Sequence, residues 1–408
     1  MTTSKGSPKS PQTSIPRVLA VMDAYLPGRL SGGPVTSVAN MVEALRGEVE
    51  FVVVTRNADL NGEVYGDVPT GEPIPVGAAS VVYLPAPAFT ARNVLAHATR
   101  LGVDTLYLNS FFSTTTIKLL LQLRMTPRPP VRSVVLAPRG EFSPGALGLK
   151  ARKKRAYLRA FQLLGLARVV SVFQASSPME ERDIYRTLGP VPVRVAADMP
   201  DPPGPVEEPG AAHGASPSPA GVRRLAFVSR ISPKKNLHVA LDLLRGVELP
   251  VELDIYGPLE DQSYWQECQR VMATLPSHVR ATYRGVLRHE EVRGVFSAHA
   301  GFLFPTQGEN YGHVVLESLS GGCPVILSDQ TPWQDLETQG VGWVCDLKVP
   351  GQFHRALDTL LRETQAQAEQ RRQRCLAYAH RVASDPVVHE DNVQLFTRLR
   401  AANDIITP

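Results

Sequence analysis

Cysteine is scarce in this chain of 408 residues: there are four, Cys268, Cys323, Cys345 and Cys375, all in the second half and without short paired spacing. That pattern supports neither a disulfide framework nor a cysteine-ligated zinc site, and it suits a reducing, cytoplasmic compartment. No stretch offers the roughly 18 uninterrupted apolar residues that a membrane span needs. The opening residues, "MTTSKGSPKSPQTSI", lack the apolar centre of a secretory signal and read as a disordered tail. Neither sign of charge dominates, since 43 basic and 39 acidic residues leave a net charge of +4, too balanced for a nucleic-acid coat. A Gly-x-Gly-x-x-Gly turn after a strand is absent, as is a Walker sequence, so dinucleotide redox and P-loop chemistry lose support.

What is present is alternation. "RVLAVMDAY", "VEFVVVT", "TLYLNS", "SVVLAPRG" and "VVSVFQASS" read as short buried strands with helical stretches between them. Strand–helix alternation implies right-handed crossovers and a parallel sheet. The run "PDPPGPVEEPGAAHGASPSPAG" can form neither helix nor central strand. Beyond it the alternation restarts with "RLAFVSR", "VELDIYGP", "ATYRGVL", "GFLFPT", "PVILSD" and "GVGWVCD". The expected organisation is a tail (1–15), a Rossmann-like domain (16–200), a linker (201–221), a second Rossmann-like domain (222–385) and a last helix (386–408) that packs elsewhere, on the first domain being one option. "QFHRALDTLLRETQAQAEQRRQRCLAYAHR" reads as helical, polar on one face.

Three pieces carry chemistry. "GENYGHVVLE" sets Glu309 and Glu317 eight residues apart around a helix start near Asn310 or Tyr311. At about 1.5 Å per residue the two carboxylates stand roughly 12 Å apart, the span of a nucleotide sugar. The first-turn amides would hold its diphosphate, with Gly312 letting the backbone come close. Glu317 would accept from the ribose diol and Glu309 from sugar hydroxyls. Taken singly, either glutamate could equally serve helix electrostatics or a solvated face. In "SRISPKKN", Arg230 leaves a strand and Lys235 follows at a helix start, where cations oppose the dipole; a bound anion explains both, although two solvated bases would give the same pattern. Lys234 reads as solvated. Gly32 and Gly33, between the first strand and its helix, leave room for a phosphate or sugar, or simply make the turn.

Together these pieces resemble the retaining nucleotide-sugar glycosyltransferases of the family-four type. The carriers are "SGGP", "FVSRISPKKN", "IYGP", "APRGEFSPGALGLKARKKR" and "FPTQGENYGHVVLESLSGGCPVILSD". The resemblance implies the GT-B fold, two Rossmann-like doubly wound domains facing each other across a cleft, with donor and acceptor sides in the second and first domains. It implies Arg230 and Lys235 as the diphosphate-binding cations, Glu309 as the acid at the transferred sugar and Glu317 as the ribose ligand. Asn310, Tyr311, Gly312, Gly32 and Gly33 fall on the donor side. No cofactor is implied beyond the nucleotide-diphosphate sugar as co-substrate, and no metal; the chain has no Asp-x-Asp to hold one. The leaving phosphate would itself act as base as the acceptor hydroxyl enters from the same face.

The pattern departs from many relatives in lacking a first-domain histidine at the acceptor. Asn109, Ser110, Arg139 and Glu141 stand at those strand ends instead, with Asn109 readable as a turn residue and Arg139 as a structural ion-pair partner. The run "LKARKKRAYLRAF" (149–161) puts six basic residues on a helix edged by Leu158 and Phe161. Such a helix can sit on an anionic inner membrane face, grip a lipid-linked pyrophosphate, or simply be solvated. Two other functions fit the same residues: a nucleotide-sugar epimerase of this fold, and a non-catalytic partner of another transferase.

Overall fold

The computed structural model describes residues 15–28, 32–148, 150–201 and 222–404. The expected tail and linker therefore lie, apart from Ile15 and Asp201, outside the described residues. The strands are β1 (Arg17–Val21), β2 (Glu50–Arg56), β3 (Ile74–Val76), β4 (Ala79–Leu84), β5 (Thr105–Asn109), β6 (Ser133–Ala137), β7 (Val172–Ala175) and β8 (Val193–Val195). They continue with β9 (Arg223–Val228), β10 (Val251–Tyr256), β11 (Val279–Gly285), β12 (Gly301–Phe304), β13 (Val325–Ser328) and β14 (Gly342–Cys345). The first sheet has the order β3-β4-β2-β1-β5-β6-β7-β8, and the second β11-β10-β9-β12-β13-β14. Central strands such as β1 beyond Arg17, and β12, are apolar because helices cover both faces of a parallel sheet.

Each sheet reverses its order at one place. In the first, β1 lies between β2 and β5; in the second, β9 lies between β10 and β12. At such switch points the connections leave in opposite directions and open a crevice at the carboxyl ends of the strands. The loops after β9 and β12 are those that carry Arg230, Lys235 and Glu309.

The chain forms two compact units. One takes the described residues up to Ala137, Gly165–Phe173 and those from Glu390 onward; the other takes Pro138–Leu164 and Gln174–His389. In the first, Phe396 of the final helix (Pro386–Asp404) packs edge-on to Phe51 of β2 and Tyr107 of β5, with centroids 5.5 and 5.4 Å apart. In the second, Phe302 stacks on Phe304 at 4.9 Å within a core to which the strands β9, β10, β12 and β13 contribute.

Three features differ from the sequence reading. β3, β4 and β8 were not anticipated; β3 and β4 pair antiparallel at the sheet edge, and the proline in "IPV" masks the pattern of β3. The run 352–381 divides into helices Pro350–Leu361 and Gln365–Ala383, because Thr364 caps the second in a reciprocal box with Gln367. On the basic helix (Ala151–Leu163), Phe161 is buried and Leu158 half-buried, so they face inward. The exposed apolar residues there are Leu163, 87% accessible, and Leu164, beside exposed Arg152, Lys153, Arg155 and Arg159. Among the described residues no helix is long and apolar enough to cross a membrane.

Candidate functional site

The loops following β9 and β12 are tied together by backbone and side-chain hydrogen bonds. Gln307 N donates to Lys234 O at 2.9 Å, Asn236 Nδ2 to Pro305 O at 2.9 Å, and Gln307 Nε2 to Asn236 Oδ1 at 3.1 Å. This lacing brings Lys235 Nζ to 2.6 Å from Glu309 Oε1, with each side chain 11% exposed. Thr306 Oγ1 donates to the same carboxylate oxygen at 3.0 Å. The cation and acid expected at the reacting end of a donor are thus one pair. Lys234, expected in solvent, is half-buried, its chain reaching within 3.8 Å of where a β-carbon on Gly308 would stand. Burial pulls its ammonium below the usual lysine range, against the opposing pull of Glu309. Arg230 does not join this pair: it bridges Glu260 at 2.8 Å, and both side chains remain nearly half exposed.

The helix after β12 begins later than expected, at His313, and runs to Ser320. Gly312 caps it in the left-handed region, φ 84° and ψ 57°, with no side chain closing the first turn. A β-carbon at Gly312 would also stand 3.3 Å from Trp333 Nε1, so only glycine suits the position. Trp333 Nε1 donates to Tyr311 O at 2.6 Å, and the Tyr311 ring lies 4.8 Å from that of His313. With the start displaced, Glu309 lies outside the helix and the straight-axis span does not apply; Glu317 stands about 6 Å beyond His313 along the axis.

Glu317 faces a different neighbourhood. With Asp201, His289, Arg293, His313 and Leu316 it lines a pocket of 420 Å³. His289 Nε2 lies 3.0 Å from Asp201 Oδ2, and His289 Nδ1 lies 3.9 Å from Glu317 Oε1. Burial pushes the Glu317 carboxyl up to about 7; His289 and Arg293 pull it back and Asp201 adds to the rise. His289 is raised, chiefly by its hydrogen bond to Asp201. Asp201, His289 and Glu317 bring three ligand atoms within 4.8 Å of one another, the spacing at which a cation could be held among the described residues. None of Asp201, His289 and His313 was singled out from sequence; a position next to a proline-rich linker or at a helix start is too common a setting to mark them.

Arg139 and Glu141 belong to the same compact unit. Arg139 is held at φ 57° and forms an ion pair with Asp198, both side chains deeply buried. Glu141 lies on the loop before the short helix Pro144–Gly148, where it raises the Tyr157 hydroxyl together with burial, the larger cause. Asn109, Ser110, Gly32 and Gly33 lie in the other unit, after the two strands of its switch point. Asn109 ends β5 and is 8% exposed; Ser110, at φ 82°, donates its N–H to Ala137 O. Gly32, at φ 55°, precedes the helix Gly33–Ala44.

Residues 211–381 match the family described as glycosyl transferases, group 1. An O-antigen chain mannosyltransferase B of Escherichia coli is 27% identical over 111 residues, covering 26% of this chain and 28% of that relative. Sucrose-phosphate synthase from Thermosynechococcus elongatus superposes with a TM-score of 0.70 at 18% identity, over 95% of this chain and 100% of that one. HepE of Anabaena, solved with UDP-glucose, gives 0.65 at 17% identity, over 94% and 99%. The fold is therefore GT-B, and the segment that matches the group 1 model carries Lys235, Glu309 and Glu317.

The Lys235–Glu309 pair is nearly enclosed, so removing one partner strands the other's charge. Lys235→Met should lower stability by about 3 kcal/mol. Adding Glu309→Gln should restore most of that loss, as read from urea denaturation of the single and double variants.

Proposed function

We propose that this protein is a retaining glycosyltransferase that moves a sugar from a nucleoside diphosphate to a hydroxyl acceptor, without a metal. The observation that carries this reading is the Lys235–Glu309 pair standing just ahead of a helix whose first turn is open. A diphosphate at that turn would meet the positive end of the dipole, which no capping side chain covers. Lys235 would exchange Glu309 for the phosphate that gains charge as the glycosidic bond breaks, freeing the carboxylate for hydroxyls of the sugar. Arg230, nearly half exposed and paired with an equally exposed glutamate, would swing from Glu260 to the same diphosphate. The departing phosphate oxygen takes the acceptor's proton on the face it leaves, which gives retention without a protein nucleophile. Glu317, at the pocket one turn along the helix, accepts from the ribose diol.

The HepE relative solved with UDP-glucose supports a nucleotide-sugar donor, and the O-antigen relative supports a saccharide acceptor. The exposed arginines of Ala151–Leu163 with Leu163 and Leu164 support peripheral contact with an anionic inner membrane face or a lipid-linked acceptor. A panel of UDP-, GDP- and ADP-sugars tests the proposal: neither transfer, nor hydrolysis, nor thermal protection by any of them would end it.

Two outcomes follow from the site. Only ionised Glu317 can accept both diol protons, so a carboxyl titrating near 7 must release its proton on binding. Nucleotide affinity should hold above about pH 8 and weaken below 7 by up to roughly tenfold per unit. Glu317→Gln should flatten that slope and Glu317→Ala should lose about 1–3 kcal/mol of binding, measured by titration calorimetry. Arg230→Ala should lower kcat by about tenfold to a hundredfold while changing donor KM less, because the charge it meets grows toward the transition state. An unaltered kcat in the folded variant would remove Arg230 from the mechanism.

A further inference from the structure

Behind Asn310 lies a carboxylate that the transfer chemistry leaves unused. Glu180, third residue of the helix Pro178–Leu188, is 5% exposed. With Ser177 as N-cap, the spacing Ser-x-x-Glu suits a capping box, in which the glutamate reaches back to the N-cap amide. Ser177 Oγ does accept from Glu180 N at 3.2 Å, but the carboxylate goes elsewhere. Its Oε1 accepts from Gly140 N at 2.6 Å, and its Oε2 accepts from Ser176 N at 2.8 Å and meets Ser176 Oγ at 2.8 Å.

Both groups it holds press on Asn310. Ser176 Oγ lies 2.9 Å from Asn310 Oδ1. Gly140, at φ 72°, is so close that a β-carbon there would stand 3.1 Å from Asn310 Cβ. The asparagine side chain is thus fitted between a hydroxyl and an α-carbon that one buried carboxylate fixes. Asn310 in turn lies between Glu309, which holds Lys235, and Tyr311–Gly312, which lead into the open helix turn.

We infer that Glu180 is a positioning residue for the donor-binding loop, acting through Ser176 and Gly140 on Asn310. The inference rests on the donor reading above for its effect on nucleotide binding, but not for its effect on the loop. The hydroxyl proton count makes the coupling specific. Ser176 has one hydroxyl proton and two side-chain oxygens within its reach, Glu180 Oε2 and Asn310 Oδ1, so the carboxyl group and the asparagine are coupled through a single shared donor. Loss of either member therefore releases the asparagine without touching Lys235, Glu309 or the helix.

The test uses the full-length protein with Ser176→Ala, Glu180→Gln and Asn310→Ala. Hydrogen exchange over residues 308–313 should speed up at least tenfold in Ser176→Ala and Glu180→Gln, while exchange in the remote helix Gln262–Met272 stays as in the wild type. The Kd for whichever of UDP, GDP or ADP the wild type binds should rise about tenfold, the loss of one hydrogen bond of this kind. Ser176→Ala added to Asn310→Ala should give little further loss. Unchanged exchange over 308–313 in Ser176→Ala, which removes a single hydroxyl and keeps the fold, would overturn the inference, as would full additivity with Asn310→Ala. If the wild type binds none of the three nucleotides, the donor reading fails while the exchange result still decides the role of Glu180.

Discussion

One adjacency governs the candidate site: β9 pairs directly with β12 at the place where the second sheet reverses its order. Parallel neighbours send their following loops to the same edge, so two loops far apart in sequence are laced together there. The lacing encloses a lysine and a glutamate, and their opposite charges make the enclosure tolerable. Neither charge would be stable in that place without the other. On the proposed reading, an anion at the helix tip would meet a cation already desolvated, which exchanges one negative partner for another.

The pocket around Glu317 follows other physics. There the carboxyl is kept near neutrality by burial, while His289 and Asp201 trade a proton-sharing contact at its mouth. The helix His313–Ser320 thus separates two electrostatic regimes, a tight ion pair ahead of it and a soft, titrating group one turn in. A ligand spanning both would be anchored by charge at one end and read by hydroxyl geometry at the other.

Much of this was legible in the chain. Buried strands mark themselves by unbroken apolar runs, and the loops after them by glycine, proline and charge, so the alternation and the residues Lys235, Glu309 and Glu317 stood out. β3 escaped because three residues with a central proline resemble a turn, and the true helix start escaped because Gly312 looks like part of the first turn until its backbone sign is known. Lys234 and Lys235 are chemically alike; only the lacing of Gln307 onto the Lys234 carbonyl shows that the pair is shared between two depths. Glu180, Ser176 and Asp198 were invisible for a related reason. Each takes its meaning from a partner more than a hundred residues away, or from a loop whose conformation the residue types do not encode.

The short strand at the margin of the first sheet has a bearing on how the molecule behaves in company. Pro75 occupies its middle position and offers no N–H, and β3 is only three residues long. An unprotected margin would present a row of donors and acceptors onto which a second chain could build. Here that row is interrupted after a single residue, which disfavours sheet-to-sheet accretion at high concentration and leaves the surface to be used by loops rather than by backbone.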